Sequence, residues 1–162
     1  MGNNVASIEK ALQIAAQAHA GQVDKQGLPY ILHPLRVMEG VEGLEAKIVA
    51  VLHDVVEDTS VTFDDLAQVG FSNEILASVR CVTHSEGETY GEYVVRCKAN
   101  PIGRRVKLAD LADNTRLSRT IVRPLALDRD ISRFAKYLLS HSFLTDQITE
   151  EQYRAAMPAF EG

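Results

Sequence analysis

Residues 50–58 read AVLHDVVED, and they place four ionisable side chains inside an otherwise apolar segment. A helix that is apolar on all sides is normally buried in the middle of its domain. His53 and Glu57 are four residues apart, as are Asp54 and Asp58, so one edge of a helix would carry the whole set. An ionised carboxylate is costly to bury unless it is paired or bound to a metal. The stretch therefore predicts a buried cluster of charges that a divalent cation would compensate.

The chain has 162 residues, of which 46% are apolar and 24% are charged. This composition is ordinary for a soluble globular protein, and the length suits a single domain over residues 1–162. The net charge of −5 at pH 7 argues against a broad nucleic-acid partner. Between Arg104 and Lys136, however, nine basic residues stand against four acidic ones. That stretch is either a solvated basic face or a surface that receives an anionic, phosphate-bearing small molecule.

The two cysteines, Cys81 and Cys97, form neither a disulfide framework nor a CxxC pair. They fit buried thiols of a reducing compartment. The first ten residues lack the basic start and the long apolar run of a signal peptide, and no run approaches the length of a membrane span. We therefore expect a cytoplasmic protein without a membrane partner. The sequence predicts no particular oligomeric state.

Helical periodicity runs through the chain, and no stretch shows strand-like alternation long enough to compete with it. The central helix is predicted over Leu44–Glu57, and a second, nearly all-apolar helix over Arg104–Leu117. Pro34 suits the first turn of a short helix, which puts His33 at or next to its N-cap. Near the C-terminus, a helix that begins at Asp128 or Asp130 is predicted to direct Ile131, Phe134 and Leu138 inward.

Polar side chains mark the other helix starts. His19 fits a packed or capping residue at the end of the first helix, and His84 lies in a polar loop, where we expect it to be exposed and without a role. The prediction is an all-α, compact bundle of about eight to ten helices. The predicted N-caps are Ser7, Thr62 with Asp65, Ser72, and Thr149 with Gln152.

The pair His53–Asp54 is a weak signal of chemistry by itself, because a histidine followed by an aspartate occurs by chance in many proteins. Asp110 strengthens it, since it lies in the second nearly all-apolar helix and shares a face with Asn114. Imidazole nitrogens and carboxylate oxygens together form a mixed site, which suits Mn²⁺, Fe²⁺ or another borderline ion better than a thiolate-type zinc site does. Such an ion can also bind water and the phosphoryl oxygens of a substrate.

Three motifs occur in the order HPLRV, LHDVVEDT and VKLADLADNTR. In this order and spacing they resemble the HD-domain hydrolase of the RelA/SpoT group, and in particular its small, free-standing alarmone hydrolases. The segment HAGQVDKQGLPYILHP also matches the part of that group before the first metal ligand, and the resemblance covers roughly residues 6–144. HDVVED together with the KLAD…N element is specific to this branch of HD proteins rather than to the superfamily at large.

The resemblance implies an enzyme that removes the 3′-pyrophosphate of guanosine 3′,5′-bis(diphosphate) (ppGpp) or of pppGpp, giving GDP or GTP. The substrate would be a small phosphorylated nucleotide, and the cofactor one Mn²⁺ ion. Glu57 and Asp58 would orient or deprotonate the attacking water, and Asn114 would contact the nucleotide. Only the resemblance assigns Asn114 and one of the ligands, His33. The implied metal ligands are His33, His53, Asp54 and Asp110.

The chain departs from the relatives at two places. The relatives carry basic residues that stack on guanine where this chain has Gln17 and Ala18. They carry histidine or tyrosine where this chain has Asp113. We expect neither departure to touch the metal chemistry, and both to concern the base that is recognised.

The remaining site assignments depend on position alone. Lys107 and Arg116 are the first choices for phosphate contacts, because they flank the segment that carries Asp110. The alternative for Glu57 and Asp58 is a solvated helix end, in which one of them pairs with an arginine. The sequence ends at residue 162, so we expect hydrolysis without the synthetase or regulatory domains of long relatives.

Three functions fit these observations. The first is a metal-dependent pyrophosphohydrolase of ppGpp and pppGpp. The second is a related phosphohydrolase for another nucleotide with a 2′- or 3′-phosphate, including NADPH, and the departure at Gln17 and Ala18 keeps it open. The third is a catalytically idle HD domain that senses a nucleotide or supports an assembly. The intact ligand set and the Glu57–Asp58 pair favour an enzyme.

Overall fold

The computed structural model describes residues 7–119 and 123–160. Regular structure in these residues is helical, apart from one isolated antiparallel bridge between Val23 and Pro29, so the predicted all-α fold is confirmed. The α-helices are α1 (Ile8–Ala18), α2 (Leu32–Glu39), α3 (Leu44–Leu52), α4 (Val55–Asp58), α5 (Phe63–Val69), α6 (Asn73–Val82), α7 (Tyr90–Ala99), α8 (Pro101–Asn114), α9 (Leu127–Leu144) and α10 (Glu150–Ala156). Short 3-10 helices cover Leu117–Arg119, Pro124–Ala126 and Met157–Phe160.

Helix α3 lies at the centre of the bundle. From Ile48 to Leu52 no residue is more than 3% exposed, and α1, α2, α6 and α8 all pack against this helix. Val37 of α2 and Val106 of α8 are fully buried in the same apolar cluster. Each such side chain contributes about 1.5–3 kcal/mol by leaving water. The core therefore anchors the end of α3 that leads into His53.

The predicted helix starts are confirmed at Ser7, Thr62, Ser72 and Thr149. Each side-chain oxygen accepts a hydrogen bond from the backbone N–H three residues further on. Such a cap stabilises a helix by about 1 kcal/mol. Gly70 ends α5 with a φ of 99°, a left-handed conformation that glycine adopts without steric cost.

The central helix is broken where the sequence predicts continuity. Helix α3 ends before His53 and α4 begins after Asp54, so the single helix predicted over Leu44–Glu57 is wrong. The Nδ1 atom of His53 donates to the carbonyl oxygen of Ala50 at 2.7 Å, which inserts a side chain into the carbonyl ladder of the helix. Asp54 then takes φ −99° and ψ −5°, a sparsely populated region in which active-site residues often occur.

Helix α8 begins at Pro101 and not at Arg104, and it ends about one turn earlier than predicted. Pro101 occupies the first helical position, where its missing N–H is not needed. Asn100 caps the helix by accepting a hydrogen bond from the Gly103 N–H at 2.8 Å. A Cβ at Gly103 would lie 2.8 Å from Cys81 Sγ, so this glycine permits α8 to pack closely on α6 instead of breaking the helix.

Helix α9 buries a different face from the predicted one. Ile131 and Leu138 are 57% and 62% exposed, so the inward orientation predicted for them is wrong. Asp130 is instead buried in ion pairs with two arginines, which fixes the rotation of the helix. The buried apolar contact lies nearer the C-terminus, where the rings of Phe143 and Tyr153 stack with centroids 4.4 Å apart.

Cys81 and Cys97 are buried free thiols, as predicted. The Cys97 Sγ donates to the Cys81 carbonyl oxygen at 3.2 Å. The reducing compartment that they suggest stays a prediction. Among the helices of residues 7–119 and 123–160, none is long and apolar enough to cross a membrane.

Candidate metal centre and adjoining cavities

Two imidazoles and two carboxylates meet where α2 begins, where α3 breaks and where α8 passes the core. His33 Nε2 lies 3.3 Å from Asp110 Oδ1 and 3.6 Å from Asp54 Oδ2. His53 Nε2 lies 3.0 Å from Asp54 Oδ2 and 4.0 Å from Asp110 Oδ1. The structure thus brings the four sequence-predicted ligands together. His33 is the second residue of α2, two residues after the N-cap Ile31, whereas it was predicted at or next to the N-cap; the preceding turn already bonds the His33 N–H to the Tyr30 carbonyl.

The ring nitrogens of both histidines are arranged for metal binding. His53 Nδ1 donates to the Ala50 carbonyl and His33 Nδ1 donates to Asp113, so in each ring Nε2 is the nitrogen that faces the cluster and can offer its lone pair to an ion that displaces the proton. His53 Nε2 is fully buried and has no hydrogen-bond partner among the described residues, although Asp54 Oδ2 is close. Although burial opposes protonation, the neighbouring Asp54 raises the pKa of His53, so either a proton or a metal cation lies between these two atoms. The chain therefore fits a divalent ion at this position.

The electrostatics of the cluster call for positive charge. Burial opposes protonation of His33, but hydrogen bonds to Asp110 and Asp113 outweigh it and raise the pKa of His33 to about 9. Burial likewise opposes ionisation of Asp54, yet the neighbouring His53 imidazole lowers its pKa to about 2. The pKa of buried Asp110 is also held far below its usual range, chiefly by Lys107. A metal ion would compete with protons for these ligands.

Further side chains hold the two aspartates. Lys107 Nζ donates to Asp110 Oδ2 at 2.7 Å, and Asn114 Nδ2 donates to Asp110 Oδ1 at 2.5 Å. The Tyr30 hydroxyl donates to Asp54 Oδ2 at 2.6 Å. The structure therefore places Lys107 and Asn114, the predicted substrate contacts, against a metal ligand. Their contact with a substrate stays a prediction.

Glu57 and Asp58 project from α4 into the same cavity as the ligands. Glu57 Oε2 accepts a hydrogen bond from the His84 N–H at 2.8 Å, and Asp58 Oδ2 accepts one from the Tyr30 hydroxyl at 3.3 Å. Burial raises the pKa of Glu57, although the bond from His84 opposes the shift. In the described part of the chain neither carboxylate has an arginine within ion-pair distance. This favours a role toward the cavity over a paired helix end.

His84 is half-buried, so the expectation that it is exposed is wrong. Besides its backbone bond to Glu57, its ring packs edge-on against Tyr93 with centroids 5.3 Å apart. No sequence pattern predicts this contact, because the loop after α6 contains only polar residues and a glycine.

The larger cavity, about 770 Å³, opens from the ligand cluster toward α9. Away from the ligand cluster and the Glu57–Asp58 pair, its lining is basic and partly aromatic. Burial lowers the pKa of the Lys25 ammonium, and the nearby arginines lower it further, which indicates a concentration of positive charge. Such a surface attracts phosphate groups. The cationic and aromatic residues of the lining are Lys25, Arg119, Arg123, Arg133, Tyr30, Phe134 and Tyr137.

Three residues that the sequence links to the substrate lie elsewhere. The Arg116 side chain is 59% exposed, and its nearest acidic group is Asp113 at 3.9 Å. Gln17 and Ala18 lie near the end of α1. None of the three lines the larger cavity or the smaller one beside it.

The smaller cavity, about 340 Å³, shares Asp54, Glu57 and Asp110 with the larger one. The ligand cluster therefore lies where the two cavities meet. Lys136 lies over the ring of Tyr90 in the smaller cavity, 4.3 Å from the ring centroid. A bound phosphorylated molecule can thus place one part on each side of the metal.

Sequence reasoning missed two contacts of the centre. Tyr30 lies three residues before His33 in the segment PYILHP, which was the available signal for it. Asp113 was expected to leave the metal chemistry untouched, which stays a prediction, but the structure bonds its carboxylate to the sequence-predicted ligand His33 at 2.7 Å. Its partner lies eighty residues away in the sequence, so no local pattern reveals it.

No family model matches the chain. Among curated proteins, it is 42% identical over 81 residues to a guanosine-3′,5′-bis(diphosphate) 3′-pyrophosphohydrolase of Borreliella burgdorferi, covering 48% of this chain and 12% of that protein. It is 33% identical over 129 residues to a probable GTP pyrophosphokinase of Mycobacterium leprae, covering 72% of this chain and 16% of that protein. It is 29% identical over 134 residues to the bifunctional (p)ppGpp synthase/hydrolase SpoT of Escherichia coli, covering 74% of this chain and 18% of that protein. The chain thus spans less than a fifth of these relatives.

A solved structure of a metazoan ortholog of SpoT, described as hydrolysing ppGpp, has the same fold. It superposes with a TM-score of 0.67 and 24% identity, over 96% of this chain and 93% of that one. The shared fold is the all-α bundle that carries the ligand cluster.

The helical bundle and the cluster formed by His33, His53, Asp54 and Asp110 define an HD-type metal-binding domain. The relatives identify which group of HD-type proteins the chain resembles. Over 72% of its length the chain is similar to proteins of the RelA/SpoT group, and the resemblance seen in its motifs is confirmed.

Proposed function

We propose that the protein hydrolyses the 3′-pyrophosphate of ppGpp and pppGpp, giving GDP or GTP and pyrophosphate. The observation that carries this proposal is the ligand cluster at the meeting point of two cavities, with Glu57 lining both. The printed names of the relatives include pyrophosphokinases and pyrophosphohydrolases. A metal centre with unpaired carboxylates beside it suits the activation of water, which only hydrolysis requires.

One Mn²⁺ ion is the proposed cofactor, held by His33, His53, Asp54 and Asp110, because mixed nitrogen and oxygen ligands suit a borderline ion. When bound, it would supply Lewis-acid activation of water and of the phosphoryl group.

In the proposed reaction, Glu57 takes a proton from the attacking water, and Asp58 helps to orient that water. The water oxygen forms a bond to phosphorus while the bond from phosphorus to the 3′ oxygen breaks. The proton taken up by Glu57 is then transferred to the 3′ oxygen of the departing nucleotide, GDP or GTP. A general base in this position contributes typically about 10²- to 10⁴-fold to the rate.

The larger cavity is the proposed nucleotide site. Its cationic side chains match the 5′-phosphates, and Phe134 and Tyr137 offer aromatic surface to a base. Asn114, which lines this cavity, and Lys107, which lines the smaller one, stay proposed substrate contacts. Arg116 would contact a phosphate only at the exposed edge. The pyrophosphate end would lie toward Lys136 in the smaller cavity.

A related activity on another phosphorylated nucleotide, such as NADPH, is favoured by one observation. Gln17 and Ala18 stand where the relatives carry guanine-stacking residues, and neither lines the larger cavity. The geometry of the metal centre is the same for both substrates, since each would present a phosphate on a ribose hydroxyl. We further propose that the protein acts in the cytoplasm on a small molecule, without a nucleic-acid or membrane partner.

The test is a substrate panel with metal-free protein to which Mn²⁺ is added back: ppGpp, pppGpp, NADPH, GTP and GDP. Products are separated by ion-exchange chromatography, and pyrophosphate and orthophosphate are measured separately. We expect pyrophosphate and GDP from ppGpp, and pyrophosphate and GTP from pppGpp.

Glu57→Gln is the inactive reference, and Glu45→Gln is its matched control, since Glu45 is exposed at the start of α3 and lines neither cavity. Orthophosphate from NADPH with no product from ppGpp would show that the protein is a phosphohydrolase of another nucleotide and not a ppGpp pyrophosphohydrolase. No turnover of any substrate, with Mn²⁺ bound, would indicate an idle nucleotide-binding domain.

A further inference from the structure

Asp113 lies directly behind the metal ligand His33. Its Oδ2 atom is 2.7 Å from His33 Nδ1, and the two side chains are only 4% and 5% exposed. Asp113 comes from the last turn of α8 and His33 from the first turn of α2, so the bond joins two helices. The carboxylate thus contacts the ring nitrogen that faces away from the other ligands.

Two arginines fix the position of this carboxylate. Arg36 Nε donates to Asp113 Oδ1 at 2.8 Å, and Arg119 Nη1 donates to Asp113 Oδ2. Arg119 also approaches Asp24 at 3.4 Å. A buried carboxylate is strongly destabilising when it loses its partners. Asp113 therefore cannot turn away from His33 without leaving a buried charge unpaired.

The bond decides which nitrogen of His33 is free. Because Asp113 accepts the Nδ1 proton, Nε2 is the nitrogen that faces Asp54 and Asp110 and that an ion would bind. A carboxylate behind a ligating histidine fixes the orientation of the ring and makes the ring nitrogen a stronger ligand. At His53 a neutral backbone carbonyl occupies the same place. Of the two imidazoles, only His33 is backed by a charge.

We propose that Asp113 is a positioning residue of the metal centre, which holds His33 in the tautomer and orientation that bind the ion. This inference rests on the proposed metal site and adds to it a residue that the sequence links only to the nucleotide base. The competing explanation is that Asp113 serves the packing of α2 on α8 as a buried ion pair, with no effect on the metal.

The experiment measures the Mn²⁺ dissociation constant of the metal-free full chain by the electron paramagnetic resonance signal of free Mn²⁺. Asp113→Ala removes the acceptor, and we expect its dissociation constant to rise about 10- to 100-fold. Asp113→Asn keeps the shape and one acceptor oxygen but loses the charge, so its dissociation constant should lie between that of Asp113→Ala and the wild type. His33→Ala is the reference for loss of a ligand.

Asp130→Asn is the matched control. Asp130 is also a buried carboxylate paired with two arginines, Arg123 and Arg133, but it contacts no metal ligand. We expect it to lower the thermal midpoint of the metal-free protein while leaving the Mn²⁺ affinity unchanged. If Asp113→Ala fails to fold, Asp113→Asn decides the question.

Wild-type affinity in a folded Asp113 variant overturns the inference, as does an equal loss of affinity in Asp130→Asn. A second readout is the ¹⁵N chemical shift of His33 in the metal-free protein above pH 9, where the ring is neutral; it should report the Nδ1–H tautomer in the wild type and a mixture in Asp113→Ala. If the Asp113 variants weaken Mn²⁺ binding but ppGpp is not hydrolysed, the proposed function fails and this inference stands. A wild-type chain that binds no Mn²⁺ overturns both.

Discussion

The site has two walls that differ in how their charges are held. The metal wall consists of His33, His53, Asp54 and Asp110 with their hydrogen-bond partners, and the substrate wall consists of Lys25, Arg123, Arg133, Phe134 and Tyr137. On the metal wall each predicted ligand accepts or donates a hydrogen bond that fixes its position. Lys107, for example, donates to Asp110, and the Tyr30 hydroxyl donates to Asp54. On the substrate wall the cations come from a loop and from α9, and several side chains are partly exposed, among them Arg123 at 48%. The helices packed on α3 thus set the chemistry, whereas α9 and the loop set which molecule is bound.

The difference has an energetic consequence. Removing one partner from a buried ion pair leaves a charge without compensation and costs about 3–5 kcal/mol. Exposed pairs contribute only about 0–1 kcal/mol, because water and salt screen them. Substitutions in the metal wall should therefore affect metal, turnover and folding together. Substitutions in the substrate wall should spare the metal and affect substrate binding, and those of Arg123 and Arg133 should also lower stability, because both pair with buried Asp130.

The largest expected effect is that of Asp110→Asn. It removes a proposed ligand and leaves Lys107 buried beside two tyrosine rings without its carboxylate. We expect loss of stoichiometric Mn²⁺, loss of detectable turnover and a free energy of unfolding lower by about 3–5 kcal/mol. Calorimetry and metal analysis measure these effects. The control is Asp128→Asn, an exposed aspartate at the start of α9, and a metal-loaded, active Asp110→Asn would contradict the partition between the walls.

Glu57→Gln should separate turnover from metal binding. The proposed base is lost but the ligands remain, so we expect kcat to fall about 10²- to 10⁴-fold while one Mn²⁺ stays bound. Steady-state kinetics and metal analysis on the same preparation check this, with Glu45→Gln as control. If kcat is retained, Glu57 is not the base.

Arg133→Gln tests the substrate wall. Arg133 lines the larger cavity, and a hydrogen bond to a charged group is worth about 1.5–3 kcal/mol, so we expect KM for ppGpp to rise about 10- to 100-fold. The metal content and kcat should change little. Arg129→Gln on the same helix is the control, because Arg129 lines neither the larger nor the smaller cavity. A loss of Mn²⁺ in Arg133→Gln would show that the two walls are not independent.

The smallest effect concerns pH. Burial raises the pKa of Glu57 above its ordinary value of 4.5, and a general base acts only when deprotonated. Turnover at saturating Mn²⁺ should therefore decline as pH falls, and the decline should begin above pH 4.5. A pH profile of kcat checks this. The residual activity of Glu57→Gln should lack that limb, and an identical limb in this variant would assign the titration to another group.

The two walls also differ in how far the sequence predicts them. His53, Asp54 and Asp110 stand out because an apolar helix does not otherwise tolerate them, and this is a local signal. The break between α3 and α4 also has a local cause, a contact over three residues, but it depends on the orientation of the His53 ring, which the sequence pattern does not specify.

The substrate wall was largely hidden from the sequence. Lys25 comes from the loop before α2, whereas Arg133 and Tyr137 come from α9, and they meet only when α9 packs beside α8. Charge counting pointed to the right stretch but to Arg116, which is mostly exposed and lines neither cavity. Asp113 shows the same limit, because its arginine and histidine partners on α2 are distant in the chain.

The most direct test of the central claim is the position of the ion. Crystals grown with Mn²⁺ should give one anomalous difference peak per chain, in contact with His33 Nε2, His53 Nε2, Asp54 and Asp110. The same peak should vanish in Asp110→Asn. A peak elsewhere, two ions in the cluster, or a Mn²⁺-loaded active protein with an empty cluster would contradict the account.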